Sequence, residues 1–546
     1  MKQKTAGVQK RSSPKPVLLN ICLTLVFIAL IAVTVIVRIR MLEVPLERDE
    51  GEYAYAGQLM LEGVPPYSLV YNMKMPGIYA AYAVILAVFG QTASGIHLAV
   101  LIMNTATVLL LFFLTKKLFG SIAGVAAGVF LAITSIGSTM QATANAENFV
   151  ILPAIAGIIL LIKFTESKKY IFLIAGGILL GIAFMMKQHG AGFILFGLFF
   201  LLWDGIRQKP RVWKKIAATV LIYSFFAVLP FLITCLVLWR CGVFEKFWFW
   251  MFEYARYYVS VMPPKKAFGE LKNVLMMIVP PVRFIWLSAL LGLLSIIWNK
   301  EIRKQGVFLI GFLICSFLAV CPGLYFRNHY FVLFLPVLTM LASVGVIAAG
   351  DLLGLVIRST TKTAFISILA ILIIWLQSCY SQREYLLETD PVKLSRASFG
   401  YTPFPEALKI AEFIKNNSSE DDKIAVLGSE PQIYFYAHRR SATSYIYIYP
   451  LMELHPYAAD MQREMISQIE TAKPRFIVFV KFPYSWLIKR ESGKLIFDWM
   501  DRYIPAHYRQ IGLVEVFPSM QTLYRWDSVA KPSKEFDWLY IGERID

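Results

Sequence analysis

Charged residues are scarce in this 546-residue chain: Asp, Glu, Lys and Arg together make up 16%, whereas 57% of the residues are apolar. A soluble domain carries about 25% charged residues. The low charge and a mean hydropathy of +0.59 exclude a disordered chain, a nucleic-acid-binding factor and an ordinary cytosolic enzyme. Acidic residues are fewer than basic ones, 36 against 54. Because the basic residues lie mainly between apolar runs, they indicate membrane topology, and the chain is predicted to be a polytopic membrane protein.

Cysteine is scarce as well. The six cysteines are scattered, without a CxxC pair or a His/Cys cluster, so neither a disulfide framework nor a zinc site is predicted. A glycine-rich phosphate-binding loop is also lacking, since Gly428-Ser429-Glu430 alone is too weak a match. We therefore expect no obligatory metal or cofactor, although carboxylates beside a phosphate could recruit a divalent cation.

The N-terminus predicts an anchor in the membrane. Residues 1–16 carry five basic side chains and no acid, and the apolar run Val17–Val37 follows them. That run is about long enough to span a bilayer, and no small-x-small cleavage site follows it. An uncleaved first span with a cytoplasmic N-terminus is expected.

Ten further apolar runs have about the length of a membrane span, so that about 11–13 spans are predicted over residues 17–380. The runs lie at 96–115, 119–138, 148–164, 170–186, 190–206, 216–240, 276–298, 306–321, 330–350 and 364–380. If they alternate, the loops rich in Lys and Arg all fall on one side, which is predicted to be cytoplasmic. The shorter run Pro76–Gly90 is interpreted as a juxtamembrane or re-entrant helix, with a true span as the alternative.

The polar connections on the opposite side are where function is expected. They are the loops 38–75, 138–148, 241–273 and 321–329 and the turn 187–190. The tail 381–546 lies on the same side and is predicted to be a soluble extracytoplasmic α/β domain. In it helices alternate with the buried strands 424–427 and 475–480, which favours parallel strands, and 511–517 with 521–526 predicts a hairpin.

The first of these loops, 38–75, contains four acidic residues within six positions: Glu47, Asp49, Glu50 and Glu52. Like charges and a low-dielectric surrounding raise the pKa of a carboxyl group, which suits a general base that works near neutral pH. The alternative is an ordinary solvated acidic loop. Lys74 follows on the same side, just before the short apolar helix, where an ammonium can meet an anion or simply reach the interface.

These residues carry a resemblance. Asp49-Glu50-x-x-Tyr53, then Pro66-Tyr67, then Lys74-x-Pro76 resembles the GT-C glycosyltransferases, in the branch of protein O-mannosyltransferases, lipid A aminoarabinose transferases and bacterial RgtA/B/C/D-like enzymes. The likeness covers roughly residues 17–380. It implies a GT-C fold and transfer of a sugar from a polyprenyl-phosphate carrier to an acceptor hydroxyl, on the outer face, with inversion.

The resemblance also implies roles for single residues. It places the catalytic acid at Asp49 with Glu50 beside it, the lysine near the lipid phosphate at Lys74, and acceptor binding at Glu147. Met75-Pro76 departs from the family's usual pair of prolines. Glu52, Tyr53 and Tyr67 in the same loop complete the predicted sugar- and acceptor-binding set.

The proposed transfer reaction requires the same residue types, a carboxylate and cations. Displacing a lipid phosphate from an anomeric carbon requires a base for the incoming hydroxyl and cations for the departing phosphate. Besides Lys74, the candidates for those cations are Arg327, His329 and Lys187. Arginine is suited to bidentate phosphate contacts.

The predicted protein is thus a glycosyltransferase of the cytoplasmic (inner) membrane with its active site on the extracytoplasmic side. Its expected partners are a polyprenyl-phosphate sugar donor, an envelope acceptor (lipid A or lipopolysaccharide, a glycan or a protein) and membrane lipids, and no nucleic acid. The main alternative is a lipid or solute transporter or flippase, which is expected to carry charges or broken helices near the midplane of its spans. A non-catalytic assembly subunit is the other alternative.

Overall fold

The structure is a computed structural model that describes residues 16–137, 143–260, 262–357, 359–517, 519, 521–527 and 529–545. The first two thirds are helical. The helices are α1 Pro16–Arg40, α2 Arg48–Leu61, α3 Pro76–Phe89, α4 Ala93–Phe119, α5 Ser121–Thr134, α6 Ala146–Ser167, α7 Tyr170–Met186, α8 Ala191–Arg207, α9 Trp213–Arg240, α10 Phe244–Trp248, α11 Ala255–Ser260, α12 Pro264–Ile278, α13 Arg283–Ser295, α14 Lys300–Lys304, α15 Gly306–Val320, α16 Leu335–Ile357 and α17 Thr360–Ser381. A π-helical turn, Phe249–Tyr254, joins α10 to α11. The predicted basic segment 1–16 lies outside the described residues apart from Pro16, where α1 begins.

Among the described residues, seven helices are long and apolar enough to cross a membrane, and a bent pair would make an eighth. Four shorter apolar helices accompany them: Pro76–Phe89, Ser121–Thr134, Tyr170–Met186 and Gly306–Val320. The expectation of a multi-pass membrane protein is confirmed. The predicted 11–13 spans are reached only if the short helices cross as well.

The predicted span 276–298 is broken. Helix α12 ends at Ile278, a 3₁₀ turn covers Pro280–Val282, and α13 continues from Arg283 with a bend of 44° between the two helices. The cause is the pair Pro280-Pro281, because proline lacks the N–H that a continuous helix needs and its ring clashes with the preceding turn.

Close helix packing holds the bundle together. Helices α13 and α16 approach each other at two glycines: a Cβ on Gly292 would lie 2.0 Å from the Leu341 carbonyl oxygen, and one on Gly345 would lie 1.8 Å from that of Ser288. Small residues that let backbones approach are a common means of helix association in membranes.

The two ends of the bundle differ in character. At the end of the basic loops, Lys117 pairs with Glu166 at 2.6 Å and Lys168 pairs with Asp204 at 3.3 Å. The predicted polar connections meet at the other end, together with residues 381–545. This confirms that they share a face, except residues 138–142, which lie outside the described part; which face is extracytoplasmic stays a prediction.

The C-terminal part is an α/β domain, as expected. Its elements are α18 Arg383–Leu387, α19 Pro391–Phe399, α20 Phe404–Asn416, β1 Ile424–Leu427, α21 Gln432–Ala437, α22 Tyr449–Met452, α23 Ala458–Ala472, β2 Phe476–Lys481, α24 Pro483–Trp486, α25 Leu495–His507, β3 Tyr508–Val516, β4 Thr522–Trp526 and β5 Trp538–Arg544. The sheet order is β1-β2-β5-β3-β4. Strands β1 and β2 are parallel and β3 and β4 form the predicted hairpin, but β5, which sequence reasoning missed, inserts between β2 and β3 in antiparallel fashion.

The domain packs directly on the motif helix. Gly51 of α2 has no room for a side chain, because a Cβ there would lie 2.6 Å from Gln432 of α21. Buried apolar side chains of α2, α3 and α21 and of one face of β1 and β2 belong to one continuous apolar cluster. The C-terminal domain is therefore part of the surroundings of the acidic motif.

Candidate active site

The acidic motif lies at the start of helix α2, and its own side chains begin that helix. Glu47 is the N-cap: its Oε1 accepts a hydrogen bond from the Glu50 amide at 3.2 Å, and Glu50 Oε2 accepts one from the Glu47 amide at 2.9 Å. This reciprocal arrangement is a capping box, which satisfies amides that the first turn leaves without partners. It fixes Asp49, the residue between them, on the first turn of the helix.

Asp49 and Lys74 form the centre of the site. The Lys74 ammonium donates to Asp49 Oδ2 at 3.0 Å and to the Tyr53 hydroxyl at 3.2 Å. The two charged side chains keep 16% and 20% of their surface accessible, so a substrate can reach them. The side chains of these two predicted site residues thus lie in contact.

The electrostatics of Asp49 differ from the sequence-based expectation. Burial favours a raised pKa, but the Lys74 ammonium, followed by His329 and Lys187, outweighs it and holds the pKa of Asp49 well below its usual range. In turn, burial opposes the charge of Lys74, and the carboxylates of Asp49 and Glu52 outweigh this and raise the pKa of Lys74. Burial and like charges thus raise the pKa of Glu47 and Glu52, as expected for the acidic loop, but not that of Asp49, where cations from other parts of the chain dominate.

Glu52 is the carboxyl group in the site with a pKa near neutrality. Its side chain is fully buried and accepts hydrogen bonds from Tyr79 at 2.5 Å and Asn72 at 2.7 Å. Burial, with a further contribution from Asp49, raises the pKa of Glu52 to about 7 in spite of Lys74. Both of its oxygens are engaged, so it is built into the wall of the site.

Glu50 points away from Lys74. Its Oε1 lies 3.1 Å from His97 Nε2 and accepts the Ala144 amide at 2.5 Å, and the side chain is completely buried. These contacts tie α2 to α4 and to the segment before α6. Glu50 thus supports the position of Asp49 and is closed to a substrate.

A second ion pair lies beside the first. The Lys187 ammonium, on the turn between α7 and α8, pairs with the buried carboxylate of Glu147 at the start of α6. His329 Nε2 lies 3.9 Å from the same carboxylate, and Lys187 is 4.3 Å above the ring centre of Tyr330. Glu147 has only 1% of its side chain accessible, so the structure places it as the partner of Lys187, where the sequence had suggested an acceptor ligand.

Arg327 lies on the rim of this group. Its side chain is exposed and its guanidinium lies 5.9 Å from the centre of the Tyr325 ring. It also lines a cavity of about 440 Å³ between helix α12 and the segment 325–328, together with Lys266, Glu270 and Asn273. A second cavity, of about 360 Å³, is lined mainly by apolar residues of α9 and by Pro76 and Gly77, which follow Lys74.

Tyr67 has a supporting position. Its side chain is fully buried and its hydroxyl donates to the Lys74 carbonyl oxygen at 2.5 Å. It adopts a positive φ of 67°, an uncommon conformation for a bulky residue. Its contact with the main chain of Lys74 indicates that it orients this lysine, and it offers no surface to a sugar.

Sequence reasoning missed the contributions of the C-terminal domain. The Tyr447 hydroxyl donates to Asp49 Oδ1 at 3.0 Å. Next to it, Arg48 binds Glu430 at 2.8 Å, the Tyr449 hydroxyl at 2.7 Å and the carbonyl oxygen of Ser429. The run Tyr445, Tyr447 and Tyr449 was the available signal, because it supplies three hydroxyl groups within five residues.

The site is thus a cluster of cations around accessible carboxylate oxygens at Asp49. It brings together Asp49, Glu52, Tyr53, Lys74, Glu147, Lys187 and His329, with Arg327 at the rim and Glu50 and Tyr67 behind. In the described part of the chain, no group of three or more His, Cys, Asp or Glu side chains could hold a metal ion. Such a cluster can bind an anion and accept a proton at neighbouring points.

Two comparisons concern the sequence. Residues 74–234 match the family model described as dolichyl-phosphate-mannose-protein mannosyltransferase. YycA, a candidate mannosyltransferase of Bacillus subtilis (strain 168), is 24% identical over 159 residues, which is 29% of this chain. The match spans 23% of the length of that relative.

Solved structures extend the likeness to nearly the whole chain. ArnT from Cupriavidus metallidurans in the apo state matches with a TM-score of 0.58 at 14% identity, over 95% of this chain and 97% of its own. ArnT bound to undecaprenyl phosphate gives a TM-score of 0.54 at 15% identity, over 84% and 93%. The oligosaccharyltransferase AglB from Archaeoglobus fulgidus, in complex with an inhibitory peptide and a dolichol-phosphate, gives 0.53 at 11% identity, over 93% and 75%. The predicted GT-C fold, with a C-terminal domain, is confirmed.

Proposed function

We propose that this protein is a glycosyltransferase that moves a sugar from a polyprenyl-phosphate carrier to a hydroxyl group of an envelope acceptor. The observation that carries the proposal is the accessible pair of Asp49 and Lys74 beside the pair of Lys187 and Glu147, whose carboxylate His329 approaches to 3.9 Å. A base and a cluster of cations are what an inverting displacement from a lipid phosphate requires. The fold of enzymes crystallised with undecaprenyl phosphate and dolichol-phosphate supports it.

The two oxygens of Asp49 and the ammonium of Lys74 suggest how the donor prepares the base. In the free protein Lys74 holds Asp49 Oδ2 and keeps the carboxylate weakly basic. A donor phosphate attracts the same ammonium, so that Lys74 shifts from Asp49 to the phosphate. Asp49 then becomes more basic, and Oδ2 is left for the acceptor hydroxyl.

In the proposed displacement the acceptor oxygen forms a bond to the anomeric carbon while its proton passes to Asp49. The bond from that carbon to the phosphate oxygen breaks, and the polyprenyl phosphate leaves with the electron pair. Lys74 and Lys187 stabilise its charge, with Arg327 at the rim. Glu147 holds Lys187 through their ion pair. The apolar cavity beside Pro76 offers room for the first isoprenyl units.

The cations of this chain supply the neutralisation in the proposed reaction, so no resident metal ion is required. The site is proposed to face the outer side of the cytoplasmic membrane, with the N-terminus inside, because basic loops gather at the opposite end of the bundle. The acceptor is proposed to be an envelope lipid, glycan or protein. The comparisons give no support to the transporter alternative.

The test compares cells that carry the gene, lack it, or carry Asp49→Asn. Mass analysis of their envelope glycans and lipids should show one hexose or pentose missing without the gene and equally missing with Asp49→Asn. Asp460→Asn is the matched control, because Asp460 is exposed on α23 and pairs with Arg463 on its own helix. It should restore the sugar fully.

Other outcomes separate the alternatives. If Asp49→Asn is present in the membrane at the normal level and restores the sugar, the catalytic proposal is wrong and an assembly subunit fits better. If the variant still moves lipid across the membrane and the sugar loss is indirect, a flippase fits better.

A further inference from the structure

The segment 445–449 carries three tyrosines whose hydroxyl groups all have partners. Ile446 and Ile448 are fully buried and Tyr445 packs in the same apolar cluster as Ile448, whereas Tyr447 and Tyr449 are partly accessible. The Tyr445 hydroxyl donates to Glu464 at 2.6 Å, within its own domain. Those of Tyr447 and Tyr449 reach across to α2, to Asp49 and Arg48.

The two oxygens of Asp49 are divided between two parts of the chain. Oδ2 accepts from Lys74 and Oδ1 from Tyr447, each at 3.0 Å. An aspartate carboxylate turns easily about its last bond, because that torsion is broad. A donor on Oδ1 prevents this rotation and keeps Oδ2 in a fixed direction, whether or not Lys74 stays.

Tyr447 is itself held in place. The amide of the next residue, Ile448, donates to Ser429 Oγ at 2.9 Å, and the rings of Tyr447 and Tyr449 pack edge to face at 4.8 Å. Arg48 binds the carbonyl of the same Ser429 and the hydroxyl of the same Tyr449. Arg48 thus fastens the tyrosine segment to the helix turn that carries Asp49.

We propose that Tyr447 is a positioning residue for the proposed transfer reaction: it holds Oδ1 of Asp49 so that Oδ2 faces the acceptor hydroxyl when Lys74 turns to the donor phosphate. The C-terminal domain thereby completes the active site. The inference rests on the proposed function. Burial and the charge of Asp49 raise the pKa of Tyr447 well above its ordinary value, which keeps the hydroxyl a donor.

The experiment uses the full-length protein in membranes and compares Tyr447→Phe with Tyr445→Phe. The latter is the matched control, since it removes a hydroxyl two residues away that donates to Glu464 of the C-terminal domain. The probe is the polyprenyl-phosphate sugar fraction extracted from cells that lack the gene, with envelope extract as the acceptor. Release of polyprenyl phosphate is measured by mass spectrometry as a function of pH and of donor concentration.

Tyr447→Phe should lower the maximal rate by about 10-fold to 150-fold, the value of a hydrogen bond to a charged group, with little change in the KM for the donor. Because the lost donor favoured the ionised carboxylate, the pKa of Asp49 rises. The acidic limb of the pH–rate profile should therefore move to higher pH. A role confined to packing would leave this limb in place, and Tyr445→Phe should leave both the rate and the limb unchanged.

If Tyr447→Phe has a maximal rate within twofold of the wild type and an unmoved acidic limb, the inference is overturned. If Asp49→Asn is inactive in the same assay, the proposed function still stands. Active Asp49→Asn would instead refute the proposed function. If Tyr447→Phe fails to accumulate, a protein with 3-fluorotyrosine at position 447 is used in its place, because the hydroxyl of 3-fluorotyrosine is a stronger hydrogen-bond donor than that of tyrosine. It should move the limb to lower pH, and an unmoved limb there also overturns the inference.

Discussion

Replacing Glu52 with glutamine should remove a pH-dependent loss of stability. Burial raises the pKa of Glu52 from 4.5 to about 7, so the folded chain binds this proton more tightly than the unfolded chain. The stabilisation of the folded state by this tighter proton binding is complete below pH 4.5 and is lost as the pH rises through about 7. At about 1.4 kcal/mol per pKa unit the loss is about 3 kcal/mol.

Glutamine can replace the protonated acid without a steric change. Its carbonyl oxygen can accept from Asn72, and its amide can donate to the Tyr79 hydroxyl oxygen, which rotates to accept. The glutamine variant should therefore behave as the protonated glutamate does at every pH. Above pH 7 it should be more stable than the wild type by up to about 3 kcal/mol, less any cost of the new hydrogen bonds.

The assay is the midpoint of thermal unfolding of the purified protein in detergent, followed from below pH 4.5 to above pH 7. The midpoint of the wild type should fall by a few degrees relative to that of Glu52→Gln across this range. Glu62→Gln is the control, because Glu62 ends the same helix but 42% of its side chain is exposed. Parallel curves for the wild type and Glu52→Gln would refute the reasoning.

Four other outcomes are expected. Arg48→Met leaves the buried Glu430 without its cation and should lower the free energy of unfolding by about 3–5 kcal/mol, which is measured as faster proteolysis of the C-terminal domain. The control Arg440→Met breaks an exposed pair with Glu62 and should lower it by less than about 1 kcal/mol. Gly345→Ala should lower the unfolding midpoint strongly, because its Cβ would lie 1.8 Å from the Ser288 carbonyl oxygen; Gly269→Ala, with open space around it, should not. Lys74→Met should weaken the binding of undecaprenyl phosphate by at least about 10-fold, as measured by microscale thermophoresis, whereas Lys74→Arg should retain most of the affinity. Equal affinities of the wild type and both variants would contradict the role of Lys74. A chelator should leave transfer unchanged and added Mg²⁺ or Mn²⁺ should not accelerate it, and restoration by either ion after chelation would contradict the metal-free proposal.

Much of the fold was predictable because it depends on local composition. Apolar runs and basic loops are properties of short stretches of chain, and they gave the helices and the common face of the polar connections. The break at Pro280-Pro281 was also visible, since two prolines inside an apolar run rarely continue a helix. Strand β5 escaped because it pairs with β2 and β3, from which long segments of chain separate it.

The motif and the resemblance named Asp49 and Lys74, and the structure places their side chains in contact. Their roles in a reaction stay a prediction. The pKa of Asp49 depends on burial, on Lys74 and then on His329 and Lys187. The sequence named these three residues as candidates but did not give their distances from the carboxylate. The same holds for Glu147, whose buried pairing with Lys187 follows from how α6 and α7 pack.

The fastening of Arg48 and Asp49 to the C-terminal domain has a consequence for biosynthesis. The contacts join residues separated by 381 to 401 positions in the sequence. A nascent chain therefore already carries its acidic turn early in translation, while the groups that restrain that turn have still to leave the ribosome. The proposed transfer should then begin only after residues 429–449 have been made and folded, so that shorter chains leave the lipid-linked sugar pool untouched.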